Sequence, residues 1–126
     1  MRAVLGSIAG LIVWTVVNMG IISLFVRTDP SADYKDPKVL LEMYKSFTAV
    51  DFMIPLAAHI LGLLAGLLVA RAICKTTLLP IMVIASVHMA GTVINLYEYP
   101  HPIWFGIVDV IVSLLIIISF FKTRKT

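Results

Sequence analysis

The chain is 126 residues long, 60% hydrophobic and only 13% charged, with a mean hydropathy of +1.02. A soluble domain of this size carries about 25% charged residues, so the composition excludes an ordinary water-soluble core and indicates a polytopic membrane protein. A lone cysteine, Cys74, excludes an intramolecular disulfide and any CxxC redox or zinc motif. The net charge of +3, with no clustered basic face, excludes nucleic acid as a partner.

In chain order there are four apolar segments, roughly residues 3–26, 50–70, 78–96 and 103–121. Each is close to the ~20 residues a helix needs to cross ~30 Å of hydrocarbon. The expected fold is all-α, a four-helix membrane bundle forming a single transmembrane domain over 1–126. Arg2 precedes the first segment, as in a signal peptide. Its apolar run nevertheless exceeds the usual length of about 7–15 residues, and no good small-x-small cleavage site follows, so it reads as an uncleaved span.

Charge sets the expected orientation. Four spans place Arg2, Arg71, Lys75, Lys122, Arg124 and Lys125 on one side, with no acidic residue beside them. The other side mixes Arg27, Lys35, Lys38 and Lys45 with Asp29, Asp33, Asp36, Glu42 and Glu98. The positive-inside rule then puts both termini in the cytoplasm, with a bacterial inner membrane as the expected location.

The long outer connection, residues 27–49, carries its own helix signal. Asp36–Pro37 makes a good start, with Asp as N-cap and Pro in the first turn. Leu40, Met43, Tyr44 and Phe47 recur at helical spacing, which predicts a short amphipathic helix over about 37–47, at the membrane interface or capping the bundle. Thr48-x-x-Asp51 then resembles a capping box that opens the second span, which makes Asp51 a cap. The inner connection, residues 71–77, is short and basic and forces the second and third spans to be antiparallel neighbours. Between the third and fourth spans, YEYPHP supplies interfacial aromatics and a stiff turn, and His101 is expected in water with no role.

The second span carries an unusual stripe. Asp51, Pro55, His59, Gly62, Gly66 and Ala70 fall within about 100° of helical arc, so this face should turn towards protein. Counting ~1.5 Å per residue from the outer edge puts His59 and His88 about 13 Å deep, Asn18 about 12 Å and Asp109 about 9 Å. Each span thus offers one strongly polar side chain to a single layer in the outer half of the membrane. Trp14 lies one turn from Asn18, and His88, Gly91, Thr92 and Asn95 share a stripe, as do Gly106, Asp109 and Ser113. Glycines in these stripes (Gly6, Gly10, Gly62, Gly66, Gly91, Gly106) should permit close helix approach. The expectation is a polar pocket opening outward above a tightly packed inner end.

Ionising a carboxylate in hydrocarbon costs about 2.5–3.5 kcal/mol on insertion scales, so Asp109 needs a partner, and a histidine at its depth is the natural one. The candidate binding residues are accordingly Trp14, Asn18, His59, His88, Asn95 and Asp109. The favoured reading is a non-enzymatic bundle that binds a small molecule, a lipid, a quinone or a proton. It sits among membrane lipids, as a homo-oligomer or as a small subunit of a larger complex. Two alternatives use the same residues: a redox protein with b-type haem or a divalent metal on His59, His88 and Asp109, and a small proton-coupled transporter. The side chains of Asn18, His59, His88 and Asp109 could also merely cross-link the helices, at about 0.6–2 kcal/mol each. No GxSxG, Ser-Lys or DxD arrangement supports hydrolase or transferase chemistry.

The runs NMG at Asn18–Gly20, PLAAHILG at Pro55–Gly62, and PIWF at Pro102–Phe105 followed by Asp109 resemble those of small four-span inner-membrane proteins of bacteria. That resemblance spans most of the chain and implies the fold, without a known activity. The four-span plan also resembles the small multidrug resistance exporters. Those depend on a first-span glutamate, however, and Asn18 is the only strongly polar residue of this first span.

Overall fold

A computed structural model describes residues 1–26, 29 and 31–122. Within them the chain forms five helices and no strand: α1 (Arg2–Phe25), α2 (Pro37–Ser46), α3 (Ala49–Ile73), α4 (Leu79–Glu98) and α5 (Ile103–Lys122). All but α2 are long and apolar enough to cross a membrane, and the four together make a small multi-pass membrane bundle. Arg27, Arg124 and Lys125, which contribute to the charge asymmetry, lie outside the described residues.

Sequence dictates where each helix starts and stops. Asp36 accepts a hydrogen bond from the Lys38 backbone amide at 2.9 Å, and Pro37 supplies the first helical residue of α2. At α3 the Asp51 carboxylate accepts from both the backbone amide and the hydroxyl of Thr48, each at 2.7 Å, which is the role the capping box predicts. The second span extends further than its apolar run, to Ile73. Arg71 does not end it, because its guanidinium donates to the Phe120 carbonyl of α5 at 3.1 Å. The inner connection shrinks accordingly to residues 74–78.

Helix α3 is the hub, packed against α1, α4 and α5, whereas the backbones of α1 and α5 stay more than 8 Å apart (Cα to Cα). Its seam with α1 is a ladder of small residues at four-residue spacing. A Cβ added to Gly66 would lie 2.8 Å from the Gly10 carbonyl oxygen and 2.9 Å from the Trp14 Cβ. One rung outward, a Cβ on Gly62 would stand 3.0 Å from the Trp14 carbonyl oxygen; one rung inward, a Cβ on Gly6 would stand 3.1 Å from that of Ala70. Bare backbone is what lets these helices touch, since lipid offers no hydrophobic force to press them together. The expectation fails at Gly91, where an added Cβ would meet nothing within 4 Å, and is weak at Gly106, which faces only the Leu96 side chain. These two glycines lie on stripes that include polar side chains, and the polar partners hold α4 and α5 instead.

Level with the seam, Leu63, Leu67, Ile81, Ile84, Ile117 and Phe120 form a dry core. Outward, a second cluster of Phe52, Leu56 and Phe105 is roofed by Tyr44 of α2 and by Phe47, which follows it. Helix α2 therefore caps the bundle. It does so through side chains, its backbone keeping more than 8 Å (Cα to Cα) from those of the other helices.

Candidate functional site

Two hydrogen-bond chains cross the bundle between the dry core and the aromatic roof. In the outer chain, the buried Asp109 carboxylate of α5 meets His59 Nδ1 of α3 at 2.8 Å, and His59 Nε2 meets the Asn95 amide of α4 at 3.2 Å. In the inner chain, the Trp14 indole N–H of α1 donates to His88 Nδ1 at 3.2 Å, and His88 Nε2 meets Ser113 Oγ at 2.9 Å. The two imidazoles contact each other edge to face, with centroids 6.0 Å apart. The helical register explains the stacking of the chains: Asp109 and Ser113 are one turn apart on α5, and Asn95 and His88 two turns apart on one face of α4.

The two histidines are chemically unlike. An indole N–H can only donate, so His88 Nδ1 must accept, and its proton resides on Nε2, donating to Ser113. A second proton on His88 would face Trp14 donor to donor. His59 has more freedom. Its Nδ1–H donates to the Asp109 carboxylate, and its Nε2 accepts from the Asn95 amide nitrogen. If the Asn95 amide turns over, the same Nε2 can carry a proton and donate to the amide oxygen. His59, unlike His88, thus faces no obligate donor on its second nitrogen.

Above His59 lies a cavity of about 430 Å³ between α1, α3, α4 and the underside of α2. Asn18, His59 and Asn95 form its polar floor, and Tyr34, Tyr44, Phe47, Tyr99 and His101 form its aromatic walls. Asn18 Oδ1 is buried and has no hydrogen-bond partner among the described residues; nor do Thr92 Oγ1 and Asp109 Oδ1. Of the candidates read from the sequence, Asn18, His59 and Asn95 line the cavity, Asp109 stands behind His59, and Trp14 and His88 form the separate chain below. Asn18 was expected in the shared polar layer. It makes no hydrogen bond to the histidines or to Asp109 and instead packs on Gly62.

Three participants were not singled out by sequence reasoning. Ser113 had a signal, its four-residue spacing from Asp109. Tyr34 and His101 had none that reaches across the fold. His101 is half-buried rather than in water: its ring stacks on Phe105 with centroids 4.4 Å apart and also contacts Tyr44, which stacks in turn on Tyr99. Burial holds the His101 imidazole below its ordinary value, against the opposing influence of a hydrogen bond to the Tyr99 carbonyl. Burial also pushes the Tyr44 phenol up to about 12, with the neighbouring Tyr99 adding to the shift, so both rings at this roof stay neutral near pH 7.

The donor set does not suit haem or metal. Axial haem ligation needs a free nitrogen on each ring with a porphyrin between them. Here each ring nitrogen of His59 and His88 faces a protein partner within 3.2 Å, and the rings touch. Among the described residues, no group of three or more His, Cys, Asp or Glu side chains is placed to hold a metal ion. Comparison with known proteins gives no match to a family model, to a curated protein or to a solved structure.

Proposed function

We propose that this small membrane protein binds a small amphiphilic molecule in the cavity beneath α2, over a polar floor in which Asp109 and Asn95 hold the His59 ring in place. One observation carries this reading: a cavity of about 430 Å³ whose floor is a His–Asn pair backed by a buried carboxylate. That volume lies within the roughly 300–1,000 Å³ of small-molecule sites, and the mix of apolar wall with a few convergent polar groups is the usual pattern. Binding is favoured over conduction because the polar chains stop at Ser113, and Leu63, Leu67, Ile84 and Ile117 fill the bundle inward of them. The charge asymmetry of the connections supports an inner membrane with cytoplasmic termini, which places the cavity on the outer side.

The test is to purify the protein in mild detergent and examine what it carries by native mass spectrometry. A stoichiometric organic molecule present in the wild type and absent from the His59→Ala variant is the expected result. If neither preparation carries or takes up any molecule, while His59→Ala changes only thermal stability, the histidines merely cross-link helices and the proposal fails.

A further inference from the structure

Resting on the reading of the cavity as a binding site, we infer that its ligand is an uncharged planar ring carrying hydroxyl or carbonyl oxygens, of the quinol and quinone class, with an apolar tail. Charge comes first. Among the described residues the cavity is lined by no Lys, Arg, Asp or Glu, and Asp109 lies behind His59, with its Oδ2 engaged by the ring. A phosphate or carboxylate head group would enter without a counter-charge, at a cost that a buried site does not bear. That argues against phospholipids and free fatty acids.

Shape and polarity then select within the uncharged molecules. The Tyr44 and Tyr99 rings lie stacked, 18° from coplanar with centroids 5.8 Å apart, and His101 and Phe47 extend the aromatic wall. An aromatic wall pairs well with an aromatic guest, by edge-to-face or offset contact. Asn95 and Asn18 belong to the floor, and the buried Asn18 oxygen lacks a donor among the described residues. A ring hydroxyl supplies that donor, and a ring carbonyl accepts from the amide nitrogens. Met19, Ile22 and Val26 complete the α1 wall; Met19 is 56% exposed, so an apolar tail can leave there, past α1 into the bilayer. The inference concerns binding alone and invokes no electron transfer.

The probe is ubiquinone with a single isoprenyl unit, titrated into the full-length protein in phosphatidylcholine nanodiscs and followed by quenching of tryptophan fluorescence. Trp14 lies one helical turn from Asn18. The expected result is saturable one-site quenching, weakened at least tenfold in Asn18→Ala and in Asn95→Ala and unchanged in Asp51→Asn. A lysophosphatidylglycerol should not displace the probe. Each variant is first melted in the same nanodiscs, so that a folding defect is not read as lost binding, and two amide variants keep the test alive if one misfolds. If the probe does not saturate, or the amide variants bind it as the wild type does, while a different molecule co-purifies and is lost in His59→Ala, the ring assignment is overturned and the binding reading stands. If no molecule binds or co-purifies at all, both are overturned.

Discussion

The half of this bundle near its termini and the half beneath α2 are held together by different physics. In the first, backbone meets backbone along the glycine ladder, and aliphatic side chains fill what remains. In the second, polar side chains link α3, α4 and α5, and Tyr44 of α2 with the Phe47 that follows it closes the top over a cavity. The first arrangement leaves no room and the second preserves it. Within a membrane, where apolar burial adds little, a protein keeps an open volume by spanning it with specific hydrogen bonds. The lesson is that rigidity at one end permits a site at the other.

That contrast can be broken most severely at the ladder. Gly66→Leu places a branched side chain where even a Cβ would sit 2.8 Å from the Gly10 carbonyl oxygen, so α1 must separate from α3. The expected outcome is loss of a monodisperse, thermally cooperative protein, seen in size-exclusion profiles and melting curves. Gly91→Leu, by contrast, enters open space and should melt as the wild type does.

A smaller effect is expected in the polar half. Asp109→Ala strips His59 of its buried partner and should cost about 1–3 kcal/mol, the penalty for a buried donor left unsatisfied, read as a lowered unfolding midpoint. The double variant Asp109→Ala/His59→Leu should recover much of it, because no unpaired polar group is left behind. Trp14→Phe removes only a neutral hydrogen bond to His88 and should cost about 0.5–1.5 kcal/mol. It sharpens the difference between the two histidines, since His88 then loses the donor that fixes its tautomer.

At the roof the expected effect is smallest. The folded-state value of His101 lies below its unfolded one, so folding favours the neutral ring. Stability is then full above about pH 6.5 and declines as the pH falls below it, because the unfolded chain takes up the proton first. A shallow drop in melting temperature between pH 7 and pH 5, flattened in His101→Gln, is the expected reading.

Much of the fold is legible in the sequence because membrane spans are dictated by length and hydropathy. Asp36–Pro37 and Thr48-x-x-Asp51 mark α2 and the start of α3 through local chemistry. The site is legible only in part. Depth counting brings His59 and Asp109 to one level, and the need to neutralise a buried carboxylate pairs Asp109 with a histidine. Which histidine depends on how α5 is rotated against α3 and α4, and depth carries no information on rotation. Arg71 misled the boundary for a related reason: its charge looked like a helix end until the Phe120 carbonyl, distant in sequence, proved to be its partner. His101 was read from a turn motif as solvated, yet the aromatic side chains of α2 fold over it.

The cavity beneath α2 holds a molecule over the floor that His59 builds with Asn95: that is the central claim. The most direct measurement is native mass spectrometry of the purified protein before and after denaturing release, in wild type and His59→Ala. A released molecule at one per chain in the wild type and none in the variant is the predicted result. Equal masses before and after release in both proteins, with no uptake of added hydrophobic probes, would contradict it.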